Sequence, residues 1–130
     1  MRRFVLAALM LSIVAGPLFA ETQNHMFQIP CSVLWPAVRD TVRNSGNYAV
    51  VFMDNTEMTA SFAIGVGQSL RIDSAVLDAR GDACEMRVQP LYQGPFNNDG
   101  VDFKKRVDKT LAALKSSQQP APAKTDTGNK

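Results

Sequence analysis

The chain is short of nearly everything that catalysis draws on. Its 130 residues include two cysteines (Cys31 and Cys84), one histidine (His25) and one tryptophan (Trp35). No Cys-x-x-Cys is present for dithiol redox work, and no Gly-x-Ser-x-Gly elbow for a serine nucleophile. Gly65-Val66-Gly67 is the one glycine-rich spot. It lacks the Lys-Ser/Thr of a phosphate loop and the third glycine of a dinucleotide fingerprint, and reads as a hairpin loop. Asp54-Asn55-Thr56-Glu57 and Asn97-Asn98-Asp99 are oxygen-rich but lack the spacing of a calcium loop, so turn chemistry accounts for them. His25 falls in a short polar lead-in and reads as a flexible surface residue, with a metal ligand or base as the alternative. No catalytic set, metal site or cofactor is assigned, and the chain is not expected to be an enzyme.

A long hydrophobic run is also missing. Phe4 to Ala15 is apolar except for Ser12, too short to span a bilayer comfortably, which takes ~20 residues. It follows the basic Met1-Arg2-Arg3, is broken by Gly16-Pro17, and ends at Leu18-Phe19-Ala20 before the polar Glu21-Thr22-Gln23. That is the layout of a secretory signal peptide cleaved after Ala20; the alternative is an uncleaved anchor. Cys31 is preceded by Gln28-Ile29-Pro30, not a lipidation motif, so the exported chain is not expected to be a lipoprotein. Periplasmic or fully secreted locations both fit.

Nor is there an excess of charge. Arg2 and Arg3 account for two of fourteen Lys+Arg, leaving twelve against twelve Asp+Glu beyond residue 20. A neutral mature chain has no electrostatic case for nucleic acid or anionic lipid.

What is present is a pattern for folding. Leu34, Val38 and Val42, flanked by Ala37 and Thr41, repeat at i, i+4, i+8 and predict an amphipathic helix over Cys31–Val42. Ser32 would cap it, Pro36 would fall in or next to its first turn, and Asn44-Ser45-Gly46 would stop it. Trp35 is expected in the core or at its edge, with exposed ligand stacking as the alternative. Tyr48–Met53, apolar on both faces, predicts a central strand. Met58, Ala60, Phe62 and Ile64 alternate with polar or small residues, as do Cys84, Met86 and Val88.

Strands over Leu70–Asp78 and Asp82–Leu91 are expected to form a hairpin through a three-residue loop, Ala79-Arg80-Gly81. Leu70, Ile72 and Val76 would then face inward, with Asp73 opposite Arg87 and Val76 opposite Cys84. Phe103, Val107, Leu111 and Leu114 mark a second helix. The expected fold is α+β: a four-stranded, mostly antiparallel sheet with two helices on one face, in the order β-α-β-β-β-β-α. Residues 1–20 are the signal peptide, 21–115 a single domain and 116–130 a disordered polar tail.

In an exported chain, two cysteines point to one disulfide, Cys31–Cys84, rather than two separate buried thiols. A thiolate nucleophile or a Cys/His zinc set would then be gone. Thr59, Ser61, Arg71, Asp73, Glu85, Arg87 and Gln89 are expected on the sheet face away from the helices. That face is either a solvated surface with cross-strand charge pairs or a binding surface.

Ser32-Val33-Leu34-Trp35-Pro36-Ala37-Val38, followed by Gly46-Asn47-Tyr48-Ala49-Val50 and Asp54, resembles a pattern in small bacterial envelope proteins. It is similar to the helix-grip domains of the outer-membrane assembly lipoprotein BamC and to several periplasmic families. The resemblance implies a non-catalytic binding or accessory role in the cell envelope, with an envelope protein or component as partner. The alternative function is a carrier of a small apolar ligand, held between helices and sheet.

Overall fold

The computed structural model describes residues 22–92 and 98–119. Five strands, not four, form one antiparallel sheet in the order β1-β5-β4-β3-β2. They are β1 (Gln23–Phe27), β2 (Ala49–Asp54), β3 (Thr59–Ile64), β4 (Arg71–Arg80) and β5 (Ala83–Tyr92), with helices α1 (Cys31–Asn44) and α2 (Asp99–Gln118). The fifth is the lead-in, the first β of the expected order, which joins the sheet by pairing with β5 and carries His25 opposite Met86. His25 is therefore held in a strand, not on a flexible lead-in. The expected signal peptide, the loop at 93–97 and the tail from 120 onward lie outside the described residues; α2 runs to Gln118, past the expected boundary at 115.

Chain order makes β2 through β5 a meander and sends α1 from one sheet edge to the other. Crossing five strands spans about 19 Å at ~4.8 Å per neighbour. A helix of 14 residues is about 21 Å long at ~1.5 Å per residue, so α1 is matched to the width it bridges. Its stripe lands as the spacing predicts: Leu34, Ala37, Val38 and Val42 are fully buried. The helix begins at Cys31 after Pro30 rather than at a Ser32 cap. Pro36 consequently lies inside it and leaves the Ser32 carbonyl without its helical donor. Trp35 closes the core edge, its indole N–H donating to Asn55 Oδ1 at 3.1 Å.

Beneath the helices, Phe62, Met86, Val88, Ala75 and Leu77 meet Phe103 and Val107 of α2. Phe62 stacks on Phe103 with ring centroids 4.5 Å apart, and Tyr48 meets both edge-on. Thr41 Oγ1 donates to the Ala37 carbonyl and lies 2.8 Å from Thr110 Oγ1, tying α1 to α2. Cys31 and Cys84 form the disulfide, with Cα atoms 4.9 Å apart across a sequence separation of 53. Because Cys84 faces Phe27 across the β1–β5 ladder, the bond pins the start of α1 to the second strand of the sheet. It is compatible with an extracellular or periplasmic location. Among the described residues no helix is long and apolar enough to cross a membrane.

Two expectations about the strands fail. The Tyr48–Met53 segment forms an edge strand, not a central one, and Val50, Val51 and Phe52 are each about half exposed. The β4–β5 hairpin turns in two residues, Gly81-Asp82, and pairs Ala79 with Cys84, Val76 with Arg87 and Asp73 with Pro90. Gly81 has φ 60°, the left-handed value a tight hairpin needs at its first turn position. The odd-numbered Asp73, Ala75 and Leu77 thus face the helices, and Ile72 and Val76 face away. Strand β4 carries apolar residues of both parities, Ile72 and Val76 on one and Ala75, Leu77 and Ala79 on the other, and the buried Asp73 makes the core-facing set look like the wet one.

Candidate functional site

The seven residues expected on one face are divided between two. Thr59, Ser61, Glu85, Arg87 and Gln89 share the face away from the helices. Arg71 and Asp73 do not: their β3 partners, Ile64 and Phe62, belong to the core side.

On the outer face, Ser61 pairs with Ser74 and Thr59 with Val76, while Ser74 pairs with Gln89 and Val76 with Arg87. Phe52 pairs with Ser61 from the edge. Ser61 and Ser74 are only 7% and 4% exposed, although no described element lies over them. Short side chains among longer ones, they sit at the bottom of the face, with half-exposed Phe52 paired beside Ser61. Toward the β4–β5 turn the face becomes charged. Arg87 Nη2 meets Asp78 Oδ2 at 2.8 Å and Arg80 Nη2 meets Glu85 Oε1 at 3.2 Å. Such exposed pairs contribute about 0–1 kcal/mol each. The charges are balanced, so the face attracts no single sign of partner.

On the inner face, the guanidinium of Arg71 grips Asp99, in the first turn of α2, through two bonds of 2.5 and 2.9 Å. Both side chains are more than four-fifths buried. Asp73, 5% exposed, lies on the same side two residues along β4, and no hydrogen bond reaches its carboxylate among the described residues. Burial pushes its pKa up to about 6, the nearby Asp99 charge adds to the rise, and Arg71 opposes it. The guanidinium is already committed to Asp99, which explains why it fails to hold Asp73 down. Sequence spacing carries no signal for this cluster, because Asp99 lies 28 residues from Arg71 and on another element.

A third polar group lies between β1 and α2. Gly100 leaves room for the Gln23 side chain, whose Oε1 would sit 2.7 Å from a Cβ there. Gln23 Oε1 and His25 Nε2 are buried with no hydrogen-bond partner among the described residues. Burial and the adjacent Lys104 lower the His25 pKa. The His/Cys/Asp/Glu side chains of the described residues form no group of three or more able to hold a metal ion.

No family model matches the chain, and no curated protein does. Among solved structures it is similar to the crystal structure of TTHA0849 from Thermus thermophilus. The identity is 9%, the match covers 75% of this chain and 98% of that one, and the TM-score is 0.45.

Proposed function

We propose that this chain is an exported, non-catalytic interaction module of the bacterial cell envelope. Its outer sheet face receives an envelope protein or another envelope component. The observation that carries this reading is the Ser61–Ser74 pair. Two serines at the centre of a sheet face, covered by no described element, are as buried as core residues, with Phe52 beside them and Thr59, Arg87 and Gln89 around them. A rigid sheet face offering a half-exposed aromatic and a ring of hydrogen-bonding groups suits recognition. The disulfide and the arrangement of residues 1–20 support export, and the helix-grip resemblance points to the same compartment.

Obstructing the face tests the reading. Ser74→Arg, which projects a long charged side chain from the centre of this face, should abolish co-purification of the partner from a native periplasmic extract while leaving the thermal midpoint within a few degrees. If Ser74→Arg protein retained its partner, or if the wild type turned over a substrate in a manner abolished by Asp73→Ala, the reading would be wrong.

A further inference from the structure

Strand β2 closes one edge of the sheet and leaves a row of backbone donors and acceptors without a neighbouring strand. Edge strands are commonly blunted by lysine, proline or charge. The residues Ala49-Val50-Val51-Phe52-Met53 contain none of these. The other edge, β1, reads Gln-Asn-His-Met-Phe and is flanked by α2 at Gly100. The β2–β3 ladder shifts register between Val50 and Phe52, leaving Val51 as the extra residue of a bulge. A bulge usually protects an edge. Here it breaks the alternation of side chains, and Val50, Val51 and Phe52 stay 48%, 54% and 52% exposed.

We infer that β2 pairs antiparallel with β2 of a second copy of this chain, about a two-fold axis through Val51, joining two five-stranded sheets into one. A two-fold interface must be self-complementary, and this strand is. With Val51 facing Val51, Val50 faces Phe52, Ala49 faces Met53, and Asp54 faces Tyr48. No like charges meet, and every other pair is apolar. A partner strand for this edge must itself be an exposed edge, uncharged and free of proline. Of the two open edges among the described residues, both lack proline and lysine, and β2 is the one that matches this edge in apolar side chains, its single charge, Asp54, lying at the strand end. The contact is small: three half-exposed side chains per copy fall well short of the ~1,200 Å² of a standard interface. The pairing is therefore reversible, in the micromolar range or weaker. It uses the backbone edge of β2; Phe52 is shared with the outer face, but Val51, the residue on the axis, is not, so the Val51 variants separate the two readings.

Sedimentation equilibrium of the exported, disulfide-bonded protein tests it, from about 1 µM to about 500 µM, where a sub-standard interface associates. The expected result is a monomer–dimer equilibrium that Val51→Lys weakens at least tenfold, because two lysines then face each other at the axis. Val51→Cys provides a second readout that does not depend on the lysine variant folding. Cβ atoms directly opposite in antiparallel strands lie ~4.5–5.5 Å apart, so this variant should form a covalent dimer on mild oxidation, and the more exposed Val66→Cys should not. A monomer at every concentration would overturn the inference. So would a dimer indifferent to Val51→Lys, or equal cross-linking through both cysteine variants.

Discussion

Replacing Asp73 with Asn should make the protein more stable at neutral pH, and the size of the gain follows from where the carboxylate sits. Asp73 lies on the core side of β4, opposite Phe62 and Pro90, beside an Arg71 that donates to Asp99 and to the Ser69 carbonyl. Its pKa is raised from 3.8 to about 6. A tenfold change in proton affinity corresponds to about 1.4 kcal/mol between protonation states, so ionisation in the folded state costs on the order of 3 kcal/mol at pH 7. The sign follows from linkage. Between pH 4 and 6 the folded state binds the proton that the unfolded state has released, so stability is greatest below pH 4. It falls as pH rises through 6, then levels off.

Asp73→Asn keeps the shape and removes the charge. The variant should match the wild type near pH 4, exceed it by roughly 2–3 kcal/mol at pH 7, and lose that part of the pH dependence. Urea unfolding from pH 3.5 to pH 8, with equal m-values for the two proteins, measures this directly. An Asn variant less stable than wild type at pH 7 would show that the ionised carboxylate is compensated by a contact the burial argument leaves out.

Four further outcomes are expected. The Cys31→Ser/Cys84→Ser pair should lower stability by about 4 kcal/mol on the chain-entropy account of a closed loop this long, with the far-ultraviolet circular dichroism of the fold retained. Phe103→Ala should cost about 3–5 kcal/mol in chemical denaturation, since the ring is fully buried between Phe62 and Tyr48. His25 has a lowered pKa in the fold, so its protonation opposes folding; His25→Gln should remove a loss of stability that sets in as pH falls below about 6.5. Burial raises the Tyr48 phenol to about 12. Stability should therefore decline as pH climbs from 10 through 12, and Tyr48→Phe should flatten that decline in alkaline melts.

The parts of the fold legible in the residues are those decided by one strong local period. The α1 stripe, the Phe103–Val107 stripe, and the inward set Cys84, Met86 and Val88 are apolar at a spacing that only one structure satisfies. The two cysteines are bonded to each other, as their number and the expected compartment imply. That bond forms although the strand register predicted beside it does not.

The misreadings share one cause: the deciding contact is with an element far away in sequence. Strand β4 has apolar residues of both parities, and its inward face is chosen by α1 and α2, which cover Ala75 and Leu77 and accept a buried Asp73. Strand β2 is apolar throughout, like a central strand, yet α1 delivers it to an edge. Strand β1 is five residues with weak alternation and becomes a strand because β5 offers it a ladder. The outer-face cluster is legible in Thr59, Ser61, Glu85, Arg87 and Gln89, where β3 and β5 have clear parity. Arg71 and Asp73 follow the β4 register to the other side.

The claim at the centre of this account is that the outer sheet face is where the protein meets its partner. A photoreactive amino acid placed singly at Gln89 and Thr59 on that face, and at Lys105 and Lys109 on the exposed side of α2, tests it in cells that express the protein. The same cross-linked partner is expected from Gln89 and Thr59, and none from the two α2 positions. Cross-links from α2 alone, or the same partner captured equally from both faces, would contradict it.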